Sequence, residues 1–191
     1  MILIVCEGNV CRSPVAVALL RDALAGRDIE VTSAGTHALV GASVEPAMVE
    51  VARRIGIDVD GHRGRQLTAD LVARSGFVLT ASRKIRRELV ELAPAAVQRS
   101  FTIRQFGRIM AAADEQFRPQ GSLDMQLSAL SAYASRHRSS PPPPDPTADD
   151  VSDPHRRPLR AHELAVAQMV QGLDALALAL GGPPVRRQQE T

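Results

Sequence analysis

The chain has 191 residues, enough for one well-buried domain and too few for two of ordinary size. Its 45% hydrophobic and 23% charged residues are typical of a globular protein, and a net charge of +2 without a sustained basic run gives no sign of nucleic-acid binding. No apolar stretch reaches the ~18 residues of a membrane span, and the apolar run at residues 2–5 is too short for a signal peptide. Two cysteines are too few for the disulfide framework of a secreted domain. We therefore expect a cytoplasmic protein, with no membrane and no nucleic acid among its partners.

Four short apolar runs indicate β-strands, and segments of helical periodicity follow them. The predicted strands lie at residues 2–5, 29–33, 77–80 and 99–103. The predicted helices run from Pro14 to Gly26, from Met48 to Ile55, after Thr68, after Ser82, around Phe106 to Met110, and from Leu159 to Leu180. Strands that alternate with helices predict an α/β fold, a doubly wound four-stranded parallel sheet flanked by helices.

Residues 114–150 interrupt this alternation. They contain a weak helical pattern from Leu123 to Tyr133 and four consecutive prolines at 141–144, which cannot enter a helix or an interior strand. We expect a single domain over residues 1–191 with a flexible Pro-rich insertion at 114–150 and a frayed tail at 183–191. The insertion is either a tolerated surface loop or a partner-docking segment.

The loop after the first strand carries the residues that indicate chemistry. It reads Cys6-Glu7-Gly8-Asn9-Val10-Cys11-Arg12-Ser13-Pro14 and leads from a strand into a helix. Such a loop directs successive backbone N–H groups inward, so residues Glu7 to Ser13 form a candidate phosphate-binding nest at a helix N-terminus. Arg12 can bind two phosphate oxygens, and the same positive environment favours the thiolate of Cys6, a candidate nucleophile.

Every fixed position of the pattern Val-Cys-x-Gly-Asn-x-Cys-Arg-Ser-Pro is present from Val5 to Pro14. At these residues the chain resembles the low-molecular-weight protein tyrosine phosphatase family. The resemblance continues at residues 33–36, at residues 62–68 and at Asp153-Pro154, and covers most of residues 1–113 and 150–180.

The resemblance implies a two-step hydrolysis of a phosphate monoester, with protein phosphotyrosine as the expected substrate. Cys6 attacks phosphorus to give a phosphocysteine while Arg12 holds the phosphate, and Asp153 protonates the leaving oxygen and then activates water. The supporting residues implied by the family are Ser13, which stabilises the thiolate, and Asn9, Ser33 and His62, which hold the loop in shape.

Substrates would be phosphorylated proteins or small phosphomonoesters, with no cofactor and no metal site, and the oligomeric state stays open. Cys11 either packs against the sheet or forms a reversible disulfide with Cys6, as in some relatives.

The chain departs from the family at the rim of the expected pocket. His155 stands where the residue after Asp-Pro is usually aromatic, and Leu39 lies in a loop that often supplies a second aromatic side chain. Phosphotyrosine would therefore find weaker stacking partners here. Val10 is typical of the tyrosine-specific branch, because a related branch that dephosphorylates arginine carries Thr there, and Glu7 at the rim disfavours strongly acidic substrates.

Three alternatives accompany this reading. Asp145, Asp149 and Asp150 compete with Asp153 for the role of acid. An arsenate reductase of the same fold would need an external thiol, because no cysteine follows Cys11. A weakly active phosphoprotein-binding module would need neither an acid nor a reactive thiol.

Overall fold

A parallel sheet of four short strands organises the molecule. The computed structural model describes residues 1–114, 117–145 and 147–185. The strands are β1 (Ile2–Cys6), β2 (Val31–Gly35), β3 (Phe77–Thr80) and β4 (Ser100–Thr102), in the spatial order β2-β1-β3-β4. The predicted α/β fold with a four-stranded parallel sheet flanked by helices is confirmed. Strand β2 begins two residues later than expected, because its pairing with β1 starts at Ile2 opposite Val31.

Seven α-helices accompany the strands within the described residues. They are α1 (Arg12–Ala23), α2 (Pro46–Arg54), α3 (Ala69–Ala73), α4 (Arg83–Leu92), α5 (Ile103–Ala111), α6 (Leu123–Arg136) and α7 (Leu159–Ala179). Side-chain oxygens begin several of them, as at Thr68 and Ser82, whose hydroxyls accept the backbone N–H groups of Leu71 and Ile85. Both caps are the ones expected from the sequence, since such hydroxyls satisfy N–H groups that have no helical partner.

Helix α7 packs closely against α5, and two glycines make this approach possible. A Cβ atom on Gly107 would lie 2.9 Å from the Cα atom of Gly172, a distance that real contacts essentially never show. Any side chain at either position would therefore push the helices apart. The position of α7 matters for the site, because its first turns follow directly after the segment that contains Asp153.

The described part of residues 114–150 contains a helix. It includes α6, which has 14 residues and buries Leu127, Leu130 and Ala134 in the hydrophobic core. Beyond α6, the guanidinium carbon of Arg138 lies 4.4 Å from the centroid of the Phe101 ring. The helical pattern expected from Leu123 to Tyr133 therefore corresponds to α6, and the flexibility of the Pro-rich insertion stays a prediction.

The described part of the predicted tail ends at Val185. Val185 is only 3% exposed, and its backbone N–H donates to Asp174 at 2.8 Å, so this residue is held against α7. The remaining residues of the predicted frayed tail, 186–191, lie outside the described residues. Assignment of the whole chain to one domain stays a prediction. Among the helices of the described ranges, none has the length and apolar character needed to cross a membrane.

Candidate active site

The loop between β1 and α1 lies at the carboxyl edge of the sheet. Strand β1 is interior, with β2 on one side and β3 on the other, so the strand order reverses at this point. Ligands of open parallel sheets bind at such a reversal, outside the carboxyl ends of the strands. Within the loop Asn9 adopts a left-handed conformation with a φ of 55°, which asparagine tolerates better than most residues.

Cys6 is held among hydrogen-bond donors. It is 2% exposed, and its Sγ atom lies 3.0 Å from the Ser13 hydroxyl and 3.3 Å from the backbone N–H of Asn9. The Asn9 side-chain amide donates to the Ser13 oxygen at 2.9 Å, which leaves the serine hydrogen free to point at sulfur. Two hydrogen-bond donors therefore face the Cys6 sulfur.

Asn9 is the centre of a buried network that fixes the loop. Its amide also donates to the Ser33 hydroxyl at 2.9 Å, and its side-chain oxygen accepts the backbone N–H of Arg65 at 3.0 Å. The Nε2–H of His62 donates to the Asn9 carbonyl at 2.7 Å. Burial lowers the pKa of His62, with the positive charges of Arg63 and Arg65 adding to the effect, and this favours the neutral ring. The three residues predicted to hold the loop therefore lie together.

Arg12 and Asp153 meet although 140 residues separate them. The Arg12 side chain is 5% exposed, with Nη2 3.0 Å from the Asp153 carboxylate and Nη1 donating to the Val151 carbonyl at 3.2 Å. The Asp153 side chain is 46% exposed, so it can exchange protons with water or with a substrate.

The other candidate acids are engaged elsewhere. The Asp149 carboxylate forms two hydrogen bonds with Arg108, at 3.0 and 2.9 Å, and is nearly buried. The Asp150 carboxylate accepts the backbone N–H of Arg83 at 2.7 Å, and that of Asp145 accepts two hydrogen bonds from Thr147. Of the four carboxylates, only that of Asp153 forms an ion pair with Arg12.

A cavity of about 210 Å³ opens above the loop. Its lining consists of Cys6, Glu7, Gly8, Val10, Cys11, Arg12, His37, Leu39, Asp153 and His155. The two residues expected at the pocket rim, Leu39 and His155, both line it, and Asn9 and Ser13 are fully buried in the same loop. A thiol, a guanidinium and a carboxylic acid that share one small cavity can transfer a phosphoryl group and protonate its leaving oxygen.

Comparison with known proteins agrees with this arrangement. A family model described as low molecular weight phosphotyrosine protein phosphatase matches residues 1–118. The chain belongs to this family. It is 34% identical over 174 residues, 91% of each chain, to a protein of Ralstonia solanacearum named probable low molecular weight protein-tyrosine-phosphatase EpsP. It is 38% identical over 93 residues to the Escherichia coli K12 low molecular weight protein-tyrosine-phosphatase Etp, across 49% of this chain and 62% of that one.

Solved structures show the same fold. The tyrosine phosphatase Wzb of Escherichia coli K30 superposes with a TM-score of 0.68 at 23% identity, covering 94% of this chain and 97% of that one. The YwlE arginine phosphatase of Geobacillus stearothermophilus superposes with a TM-score of 0.68 at 27% identity, covering 94% and 91%. Phosphatases named for different substrates therefore share this architecture.

In this member of the low molecular weight phosphatase family, Glu45 joins the phosphate loop to the segment that follows Asp153. Its backbone N–H donates to the Val10 carbonyl at 2.9 Å. Its carboxylate accepts the Cys11 thiol, the His155 Nδ1–H and the Arg156 backbone N–H, each at 2.9 Å. The sequence analysis missed Glu45, and only its position before Pro46 at a helix start could have drawn attention to it.

These contacts change the protonation of both partners. Burial raises the pKa of Glu45, but the hydrogen bonds from Cys11, His155 and Arg156 outweigh it and lower the pKa to about 2. Burial, together with the negative charge of Glu45, raises the pKa of the Cys11 thiol far above its usual range. Cys11 is therefore a thiol that donates to Glu45, and both cysteines are free.

Lys84 is a second residue that the sequence analysis missed. Its ammonium lies 3.2 Å from the Glu7 carboxylate and 3.9 Å from that of Glu88. The acidic rim that Glu7 was expected to provide is therefore partly neutralised by a lysine from α4.

Proposed function

We propose that this protein hydrolyses phosphate monoesters, with phosphotyrosine in proteins as its main substrate. One observation carries the proposal: Cys6, Arg12 and Asp153 line the same cavity of about 210 Å³, with Arg12 and Asp153 3.0 Å apart. The family membership and the relatives named tyrosine phosphatases support the same conclusion.

In the first step the Cys6 thiolate attacks phosphorus, the S–P bond forms and the P–O bond to the leaving group breaks. The loop N–H groups and the Arg12 fork hold the charge on the three equatorial oxygens. A bound phosphate replaces Asp153 as the partner of Arg12. Asp153, carrying a proton, then passes it to the leaving oxygen, which departs as a neutral alcohol or phenol.

In the second step Asp153, now a carboxylate, accepts a proton from water as that water attacks phosphorus. The S–P bond breaks, inorganic phosphate forms, and sulfur leaves as a thiolate that Ser13 and the Asn9 N–H stabilise. No cofactor or metal takes part in either step.

The lining of the cavity favours an aromatic leaving group. Val10 and Leu39 present apolar surface to it, and the Glu7 carboxylate is paired with Lys84. The guanidinium of a phosphoarginine would instead require unpaired carboxylates near the mouth of the pocket. The likeness to an arginine phosphatase makes phosphoarginine the alternative that the assay must include.

The experiment compares hydrolysis of a phosphotyrosine peptide, a phosphoarginine peptide and p-nitrophenyl phosphate. Cys6→Ser should abolish all turnover but retain phosphate binding, because the nest is built from backbone and Arg12. Cys11→Ser, the matched control in the same loop, should keep substantial activity. Cys6→Ser activity above a tenth of the wild-type rate would refute the mechanism. Phosphoarginine as the better substrate would refute the specificity, and phosphate binding without turnover would favour the binding-module alternative.

The acid is tested separately. Asp153→Asn should slow phosphotyrosine cleavage about 100-fold or more, and p-nitrophenyl phosphate cleavage much less, because a tyrosine phenol with a pKa of about 10 needs the proton more. Asp150→Asn is the matched control and should leave this leaving-group dependence unchanged. The reverse result would move the acid to Asp150. Arsenate reduction with an external thiol, without phosphatase activity, would favour the reductase alternative.

Phosphorylated proteins or small phosphomonoesters remain the proposed partners. A cytoplasmic location and the exclusion of nucleic-acid partners stay predictions.

A further inference from the structure

Four side chains from separate segments converge beside the phosphate loop. Cys11 precedes α1, Glu45 precedes α2, His155 follows Asp153, and His162 lies in the first turns of α7. The ligating atoms of Cys11, Glu45 and His155 all lie within 4.8 Å of one another. Glu45 Oε2 is 2.9 Å from both Cys11 Sγ and His155 Nδ1, and these two atoms are 4.0 Å apart.

His162 contributes an independent observation. It is 0% exposed, and its Nδ1 donates to the Pro158 carbonyl at 3.3 Å. Its Nε2 atom has no hydrogen-bond partner and lies 3.6 Å from Glu45 Oε2. A buried imidazole nitrogen without a partner that faces a carboxylate oxygen requires either a proton or a metal ion between the two atoms. A hydrogen bond from the other ring nitrogen to a backbone carbonyl is also the usual arrangement of a metal-binding histidine.

We propose that Cys11, Glu45, His155 and His162 bind one zinc ion or a similar soft divalent cation. A thiolate, a carboxylate oxygen and two imidazole nitrogens are donors that zinc accepts in a tetrahedral site. The two negative charges balance the charge of the ion. Tetrahedral zinc separates such donors by about 3.4–3.6 Å, so the 2.9 and 4.0 Å separations among Cys11, Glu45 and His155 require movements of only about half an ångström. His162, whose Nε2 lies 3.6 Å from Glu45 Oε2, must move further to complete the site.

Binding involves no redox change. The Cys11 thiol releases its proton to solvent, and the hydrogen on His155 moves from Nδ1 to Nε2 by exchange with water. Coordination overcomes the raised pKa of Cys11 because a metal ion stabilises the thiolate directly. The ion would connect the phosphate loop, α2, the segment after Asp153 and α7, and this role goes beyond the proposed hydrolysis.

The test is a titration of reduced, EDTA-dialysed protein with Co²⁺, followed by competition with Zn²⁺. We expect one ion per chain and a thiolate-to-cobalt charge-transfer band. Cys11→Ser should remove the band, whereas Cys6→Ser should retain it, which distinguishes this site from the nucleophile. His155→Ala and His162→Gln should each weaken Zn²⁺ binding on the order of a hundredfold. His37→Ala is the matched control, because His37 lines the same cavity outside the cluster.

Several outcomes would overturn the proposal. Retention of the band in Cys11→Ser, its loss in Cys6→Ser, or equal weakening by His37→Ala and His155→Ala would assign the ion to another place. No stoichiometric binding by the wild type would show that a proton, rather than a metal, lies between His162 and Glu45. If His162→Gln does not fold, as judged by circular dichroism, the Cys11 and His155 variants carry the test. Metal binding is measured without any substrate. Metal binding can therefore be absent while the proposed phosphatase function holds, and it can be present while that function fails.

Discussion

Glu45→Gln should destabilise the protein and slow its chemistry, because the carboxylate ties the phosphate loop to the segment after Asp153. Glutamine keeps the shape but replaces one oxygen with an NH₂ group, which faces at least one of the donors on Cys11, His155 and Arg156. That donor then stays unsatisfied in a largely buried place.

The magnitude follows from the pKa of Glu45. A carboxyl group whose pKa falls from 4.5 to about 2 on folding stabilises the protein by at most about 3 kcal/mol at neutral pH. The side chain is 17% exposed, so we expect about 2–3 kcal/mol of free energy of unfolding to be lost. For a chain of this size that corresponds to a decrease in Tm of about 4–12 °C.

The pH dependence gives the sharper test. The folded protein holds the charged form more strongly than the unfolded chain does, so the contribution is complete above pH ~5 and is lost as the pH falls through 4.5 toward 2. Thermal unfolding in EDTA at pH 7, 5 and 3 should therefore show a difference between variant and wild type that shrinks on acidification. A difference that is equally large at pH 3, or absent at pH 7, would refute the reasoning.

Glu50→Gln is the matched control, since Glu50 lies on α2, the helix that Glu45 precedes, but pairs with exposed arginines. It should change Tm little at any of these pH values. In Glu45→Gln the kcat for phosphotyrosine should fall about tenfold with little change in KM, because the acid is misplaced while the phosphate nest remains. An unchanged kcat would limit Glu45 to a structural role.

Three further predictions concern the rest of the site. Arg12→Lys keeps the charge but loses the fork, so kcat/KM should fall at least about 100-fold, and near-normal activity would show that charge alone suffices. In His62→Gln the amide can still donate to the Asn9 carbonyl. Because folding lowers the pKa of His62, the wild type should lose stability relative to this variant as the pH falls from 7 to 5. A difference in Tm that stays constant over this pH range would contradict the prediction. Lys84→Met should raise KM for acidic phosphopeptides about threefold at low salt, because it leaves the negative charge of Glu7 without its partner. Arg87→Met is the control and should leave this KM unchanged, since Arg87 pairs with Glu91.

The phosphate loop could be predicted from the sequence because its chemistry is local. Cys6, Asn9 and Ser13 lie within eight consecutive residues, so a strand end, a tight loop and a helix start suffice to bring their polar atoms together. The strand and helix alternation was equally readable, since apolar periodicity reflects burial in a layered fold. The family pattern added the more distant Asp153, which the geometry brings to Arg12.

Tertiary packing determined the features that the local sequence pattern could not predict. Helix α6 has a weak amphipathic pattern, and its burial of Leu127 and Leu130 depends on the sheet against which it packs. No pattern in the sequence indicated that Glu45, His155 and His162 would meet, because they belong to separate segments that the packing of α7 against α2 brings together. Single residues in separate segments have no shared periodicity, so only the tertiary structure brings Cys11 and its carboxylate and imidazole neighbours into one cluster.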